Sequence, residues 1–154
     1  MLPFDVKLKK RIKIKEYLIY DNSEILNFFK KEFIDRKADN VRIENNTVRF
    51  NNNFFKFINN WNIMVPVDKG ILVINNDKNE EIEIEYSFSL KVTLVIGFIA
   101  GLLFYLFSKL WFVGLFAFLW LGGMNWLTAV IRHSFMFSDL NNKLEEDIIN
   151  KNPT

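Results

Sequence analysis

Two apolar runs, separated only by Ser108 and Lys109, constrain this chain more than any other feature. From Val92 to Phe107 every residue is aliphatic, aromatic, Gly, Ala or Thr. From Leu110 to Ile131 the only polar residues are Asn125 and Thr128. A bilayer core of about 30 Å takes about 20 helical residues. The second run meets that length. The first meets it once Leu90 is included and Lys91 snorkels toward the headgroups. A single helix over both runs would be about 60 Å long, twice the core. The pattern therefore predicts two transmembrane helices, 89–108 and 109–131, folded back on each other near Ser108 and Lys109. Buried helices of a soluble core are the competing reading, but two such segments in succession would overwhelm so small a domain.

The flanks predict an orientation. Lys91 precedes the first run, and Arg132 with His133 follows the second, whereas the turn offers only Lys109. Positive residues favour the cytoplasmic side. Both termini are expected in the cytoplasm and the tight turn outside, giving a multi-pass membrane protein with two spans.

Composition removes several function classes. The absence of cysteine excludes disulfides, thiolate metal sites, a Cys nucleophile and palmitoylation. His133 is the one histidine, so a multi-histidine metal centre is impossible. Phosphate-loop, dinucleotide, zinc-protease and nucleophile-elbow motifs are all missing from the sequence. Beside Arg132 at a helix end, His133 reads better as an interfacial anchor than as part of hydrolytic machinery with Ser134 and Asp139. No catalytic, cofactor or metal residue is assigned, and the chain is expected to be no enzyme. A net charge of +2 argues neither for nor against nucleic acid.

Residues 1–88 read as a soluble α+β domain: strand, helix, then antiparallel strands. In 6–20, Ile12 and Ile14 alternate with Arg11, Lys13 and Lys15, as a half-buried strand requires. Val6 and Leu8 continue the apolar face, and Lys10 interrupts it, at a bulge or an end. Asp21 with Glu24 resembles a capping box opening a helix striped by Ile25, Leu26, Phe29 and Phe33. Val41–Phe50 reads as a hairpin about an Asn45-Asn46 turn, with Ile43 opposite Val48. A further strand is expected over 54–58. A second hairpin, 63–67 with 71–74, is expected about Asp68-Lys69-Gly70. Glu81-Ile82-Glu83-Ile84-Glu85-Tyr86-Ser87-Phe88 is the cleanest alternation in the chain.

Opposite charge on two strictly alternating segments places the first strand beside the last. Arg11, Lys13 and Lys15 then face Glu81, Glu83 and Glu85, and the antiparallel sense is favoured. The basic row Lys7, Lys9, Arg11, Lys13 and Lys15, with Arg132, is also a candidate for anionic-lipid contact. Nothing interleaves it with aromatics as a nucleic-acid surface would require.

Gly97 and Gly101 form a G-x-x-x-G pair that lets two helix backbones approach. Gly114, Ala117 and Leu121 offer a compatible face on the second helix. This pairing is either a dimer seam or packing inside the hairpin, and the second is favoured. Asn125 needs a partner within the membrane, for which an interhelical hydrogen bond is expected. In the tail, 132–154, Met136, Leu140, Leu144 and Ile148 recur every four residues between acidic positions. This is an amphipathic helix better suited to packing on protein than to an anionic membrane surface.

The sequence thus reads as a non-enzymatic integral membrane protein, an accessory or scaffolding subunit of a membrane assembly. The alternative is a membrane-surface module for lipid or a small apolar ligand. Expected partners are the bilayer and other membrane subunits or a second copy, with no nucleic acid.

Overall fold

The computed structural model describes residues 4–13, 22–53, 64, 67–77 and 81–151. They build an α+β fold: β1 (Asp5–Lys13), α1 (Asn22–Asp35), β2 (Arg42–Glu44), β3 (Thr47–Asn51), β4 (Lys69–Asp77) and β5 (Glu81–Ser89), then α2 (Lys91–Ser108), α3 (Trp111–Phe118) and α4 (Asn125–Lys151). The strands form one five-stranded antiparallel sheet in the order β1-β5-β4-β3-β2.

β5 organises the sheet. Ile82, Ile84, Tyr86 and Phe88 are buried, while Glu81, Glu83, Glu85 and Ser87 alternate with them on the wetter face. The period of two, with one face covered, writes this pattern. β1 lies beside β5 and antiparallel to it, pairing Lys9 with Glu85, Arg11 with Glu83 and Lys13 with Glu81. The basic set opposite the glutamates thus starts one pair earlier than expected, and Lys15 lies outside the described residues. Lys10 marks neither a bulge nor an end. It sits opposite Ile84 in unbroken register, and its ammonium reaches Glu145 of α4 at 3.6 Å.

The β2–β3 hairpin has Ile43 opposite Val48, with Asn45 at φ 52° supplying the left-handed turn residue. The expected turn at Asp68-Lys69-Gly70 is not there. Lys69 and Gly70 already belong to β4, opposite Asn51 and Phe50 of β3. Gly70 has no positive φ; a Cβ at that position would collide with the Phe50 ring. The glycine serves a close aromatic approach rather than a turn. The expected strand over 54–58, Pro66 and the Asp21 cap lie outside the described residues. Of the segment 63–67, Met64 and Val67 are described, and both are buried.

One face of the sheet carries the core. α1 contributes Ile25, Leu26, Phe29 and Phe33, and α4 contributes Met136, Phe137, Leu140, Leu144 and Ile148. Each fully buried side chain of this size stabilises by roughly 1.5–3 kcal/mol. Arg36 ties the two helices together through Asp139 of α4 at 2.7 Å, and Lys143 approaches Glu32 at 3.5 Å.

The helix that begins at Trp111 does not stop at residue 131. It runs unbroken through Ile148, widening to π-type hydrogen bonding over Leu119–Met124. The boundary between an apolar run and an amphipathic tail is a change of surroundings along one helix. Its first half exposes apolar side chains such as Trp111, Phe116 and Trp120, and its second half buries them on the sheet. Lys91–Ser108 and Trp111–Ile148 are both long and apolar enough to cross a membrane.

Candidate functional site

The sheet and the two long helices meet at one end of β5. Tyr86 and Phe88 point to the core face, and only Ser89 and Leu90 separate β5 from α2. Against them α4 sets His133, which is fully buried. Tyr86 Oη lies 2.8 Å from His133 Nδ1. The imidazole stacks on Phe88 with centroids 4.6 Å apart, and Phe137 stacks on Tyr86 at 5.7 Å. Burial pushes the Tyr86 hydroxyl well above its ordinary value of 10.0, so the phenol stays neutral and keeps its proton. The pair is a hydrogen-bonded joint between sheet and helix.

His133 is therefore no interfacial anchor. Its signal lay in the tail stripe carried backward: Ala129, His133 and Phe137 precede Leu140, Leu144 and Ile148 at three- and four-residue spacing. Tyr86 is the one polar-tipped residue on the buried face of β5, so it needed a partner across the core.

Beside this joint, Asp68 accepts a hydrogen bond from the Val92 amide at 3.0 Å. It thereby satisfies one of the unpaired donors in the first turn of α2, which has no side-chain cap of its own at Leu90. Burial raises the Asp68 carboxyl above its ordinary value, against the opposing pull of the Val92 and Lys91 amides. Lys91 approaches Asp5 at 3.9 Å.

Beyond the neck, α2 and α3 pack through glycine. A Cβ on Gly97 would stand 2.5 Å from Gly122 Cα, and one on Gly101 would stand 2.8 Å from the Gly114 carbonyl oxygen. Both partners lie in the same chain, so the G-x-x-x-G face is occupied within the hairpin. The atoms nearest these two glycines belong to Gly114, Phe118, Leu121 and Gly122, so Gly114 and Leu121 of the expected face meet them, and Phe118 and Gly122 stand there rather than Ala117. Asn125 Nδ2 donates to the Leu121 carbonyl oxygen of its own helix at 2.6 Å, and among the described residues it makes no interhelical bond of the expected kind. Lys109 closes α2 in the left-handed conformation, φ 57°, and its amide donates to the Tyr105 carbonyl oxygen. Near this turn a cleft of about 380 Å³ opens between Phe98, Gly101, Tyr105, Trp111 and Phe118.

No family model, no curated protein and no solved structure matches this chain. On the outer sheet face, Lys7 pairs with Glu85 at 3.2 Å, Lys9 bridges Glu83 and Glu85, and Arg11 meets Glu83 at 3.1 Å. The described cations of the basic row thus stand against carboxylates of β5. Lys13 continues the row opposite Glu81 in the backbone register, and Arg132 is half-buried on α4. Among the described residues no cluster of three His, Asp or Glu side chains is arranged to hold a metal ion.

Proposed function

We propose that this chain is an integral membrane protein with a two-span hairpin, and that it acts without catalysis as a scaffolding subunit of a membrane assembly. The sheet domain and the end of α4 share the cytoplasmic side, and Lys109 lies on the far side. The observation that carries this reading is the continuous helix from Trp111 to Ile148. Its first half leaves large apolar side chains uncovered, and its second half is part of the sheet's own core. A soluble domain so joined cannot swing on a linker. It is held at fixed height and angle, which suits a part that positions other subunits.

The uncovered apolar surface supports the membrane assignment. Phe107 is 86% exposed, and of α2 only Gly97 and Gly101 are buried. In water such a surface would be an aggregation liability. In lipid it is the ordinary exterior of a helix pair.

The second reading, a module enclosing a lipid or small apolar ligand between sheet and helices, draws less support. Phe29, Phe33, Tyr86 and Leu140 fill that space, each fully buried. Mild detergent extraction of the full chain, followed by size-exclusion chromatography and identification of co-migrating species, distinguishes the two. A membrane protein travelling with it in fixed stoichiometry supports scaffolding. A chain that migrates alone with one retained apolar ligand supports the module. A chain that stays in solution without detergent refutes both.

A further inference from the structure

We propose that the outer sheet face carries a binding site for the phosphate of an anionic lipid headgroup, formed by Arg42, Arg49 and Lys69. The inference rests on the membrane reading above. It concerns a different set of cations from the basic row of β1.

Each of Lys7, Lys9 and Arg11 on β1 stands in an ion pair with Glu83 or Glu85 of β5. On the other side of the sheet Arg49 has Glu44 and Lys69 has the neighbouring Asp68, and among the described residues the uncompensated charge is that of Arg42. Arg42 of β2 sits directly opposite Arg49 of β3, a like-charge pairing that destabilises an antiparallel ladder. Arg49 has Glu44 at 3.3 Å, while the Arg42 guanidinium has no hydrogen-bonding or ion-pair partner among the described residues. Lys69 of β4 stands opposite Asn51, next along the same face. These side chains, with Asn40 and Asn51, line a cleft of about 460 Å³ in which Glu44 is the only carboxylate among the described residues. A charged edge strand discourages edge-to-edge pairing. That purpose is met by Arg42 and Glu44 on the three residues of β2 and does not call for two more cations on β3 and β4. An anion seated between them would relieve the Arg42–Arg49 opposition.

The register says which anion is within reach. Lys69 is opposite Ser89, the last residue of β5, and α2 begins at Lys91. Arg49 is opposite Ile71, which is opposite Ser87, so both arginines lie one outer-face row further back. That row is set back by about 7 Å at 3.3–3.4 Å per strand residue. Headgroup layers add roughly 5–7 Å on each side of the hydrocarbon core. A domain mounted at the start of α2 therefore brings this rim against lipid phosphates.

The test uses the full chain, extracted in mild detergent from vesicles of phosphatidylcholine alone or mixed with phosphatidylglycerol, and native mass spectrometry of the lipid it retains. The wild type should keep phosphatidylglycerol over phosphatidylcholine. Each cation changed to Gln should reduce that preference about fivefold, and R42Q/R49Q/K69Q about a hundredfold. R42K/R49K should keep most of it, and K7Q/K9Q should leave it unchanged. Should the triple variant fail to fold, Arg42→Gln alone carries the test, with the fivefold loss. A preference that survives the triple variant, or that falls equally in K7Q/K9Q, overturns the site. Displacement of the lipid by inorganic phosphate, beyond the effect of chloride at equal ionic strength, would assign the cleft to a free anion instead and overturn the lipid source. A chain that never enters the vesicles fails at the membrane reading, an outcome distinct from insertion without headgroup preference.

Discussion

Tyr86 Oη and His133 Nδ1 lie 2.8 Å apart in the core, where strand β5 and the long helix meet. The contact joins residues 47 positions apart and ties α4 to the sheet. Tyr86→Phe keeps the ring stack and removes one hydrogen-bonding group from a buried pair. Leaving a buried partner unsatisfied costs about 1–3 kcal/mol. Chemical unfolding in detergent should show a loss of that size, and unchanged stability would mean that packing alone makes the joint.

The ladder between β1 and β5 predicts a pH window. The hydrogen bonds from Lys9, then Arg11 or Lys7, hold the Glu83 and Glu85 carboxyls below their ordinary 4.5. Hydrogen bonds to Glu85 and Glu83 hold the Lys9 ammonium above 10.5. A depressed carboxyl stabilises the fold above its unfolded pKa, and that contribution disappears as pH falls through the folded value. A raised ammonium contributes fully below its unfolded pKa, and that contribution is lost as pH rises through the folded value. Thermal unfolding of the wild type should weaken below pH 4.5 and above pH 10.5, with Lys9→Gln flattening both limbs. Added salt should shrink the difference between the two proteins. K9E/R11E should lower the midpoint and E83K/E85K on that background should recover part of it; no recovery would mean that the faces do not interact across the strands.

Asp68 is expected to act on α2 from outside the helix. Asp68→Ala should cost about 0.5–2 kcal/mol, the usual range for a lost N-terminal cap, and Asp68→Asn much less because it keeps an acceptor. Equal losses from the two substitutions would point to charge rather than the Val92 hydrogen bond.

The glycines separate cleanly by position. Gly97→Ala, Gly101→Ala and Gly114→Ala each set a methyl against backbone or a Cβ of the facing helix, within 3.0 Å. Each should destabilise the hairpin without changing its oligomeric state. A Cβ on Gly123 would meet nothing within 4 Å, so Gly123→Ala should be neutral or gain up to about 1 kcal/mol of helix propensity. Dissociation of an oligomer on Gly101→Ala would move the seam outside the chain.

Much of the fold was legible because its signals are local. Alternation over Glu81–Phe88 gave β5 and its buried face, opposite charge on a second alternating segment gave its neighbour, and Asn45-Asn46 gave a turn in the right register. Gly70 misled because a glycine between two apolar runs reads as a turn, whereas here the Phe50 ring requires it. Lys10 looked like a fault in the pattern because its partner, Glu145, is 135 residues away on another element. The continuity of α4 was hidden for a different reason. Hydropathy reports the surroundings of a helix rather than its ends, so a helix passing from uncovered to core-packed surface reads as two. His133 follows the same rule, since the flank of an apolar run here lies in the core and not at a surface.

Topology is tested most directly by single cysteines in a chain that has none of its own. Lys109→Cys lies in the turn between α2 and α3, Asn46→Cys in the β2–β3 turn and Glu146→Cys on an exposed position of α4. A membrane-impermeant thiol reagent applied to intact cells should label Lys109→Cys and spare the other two until the membrane is opened. Labelling of Asn46→Cys and Glu146→Cys with Lys109→Cys protected would invert the orientation. Equal labelling of all three before and after permeabilisation would contradict a membrane-spanning hairpin altogether.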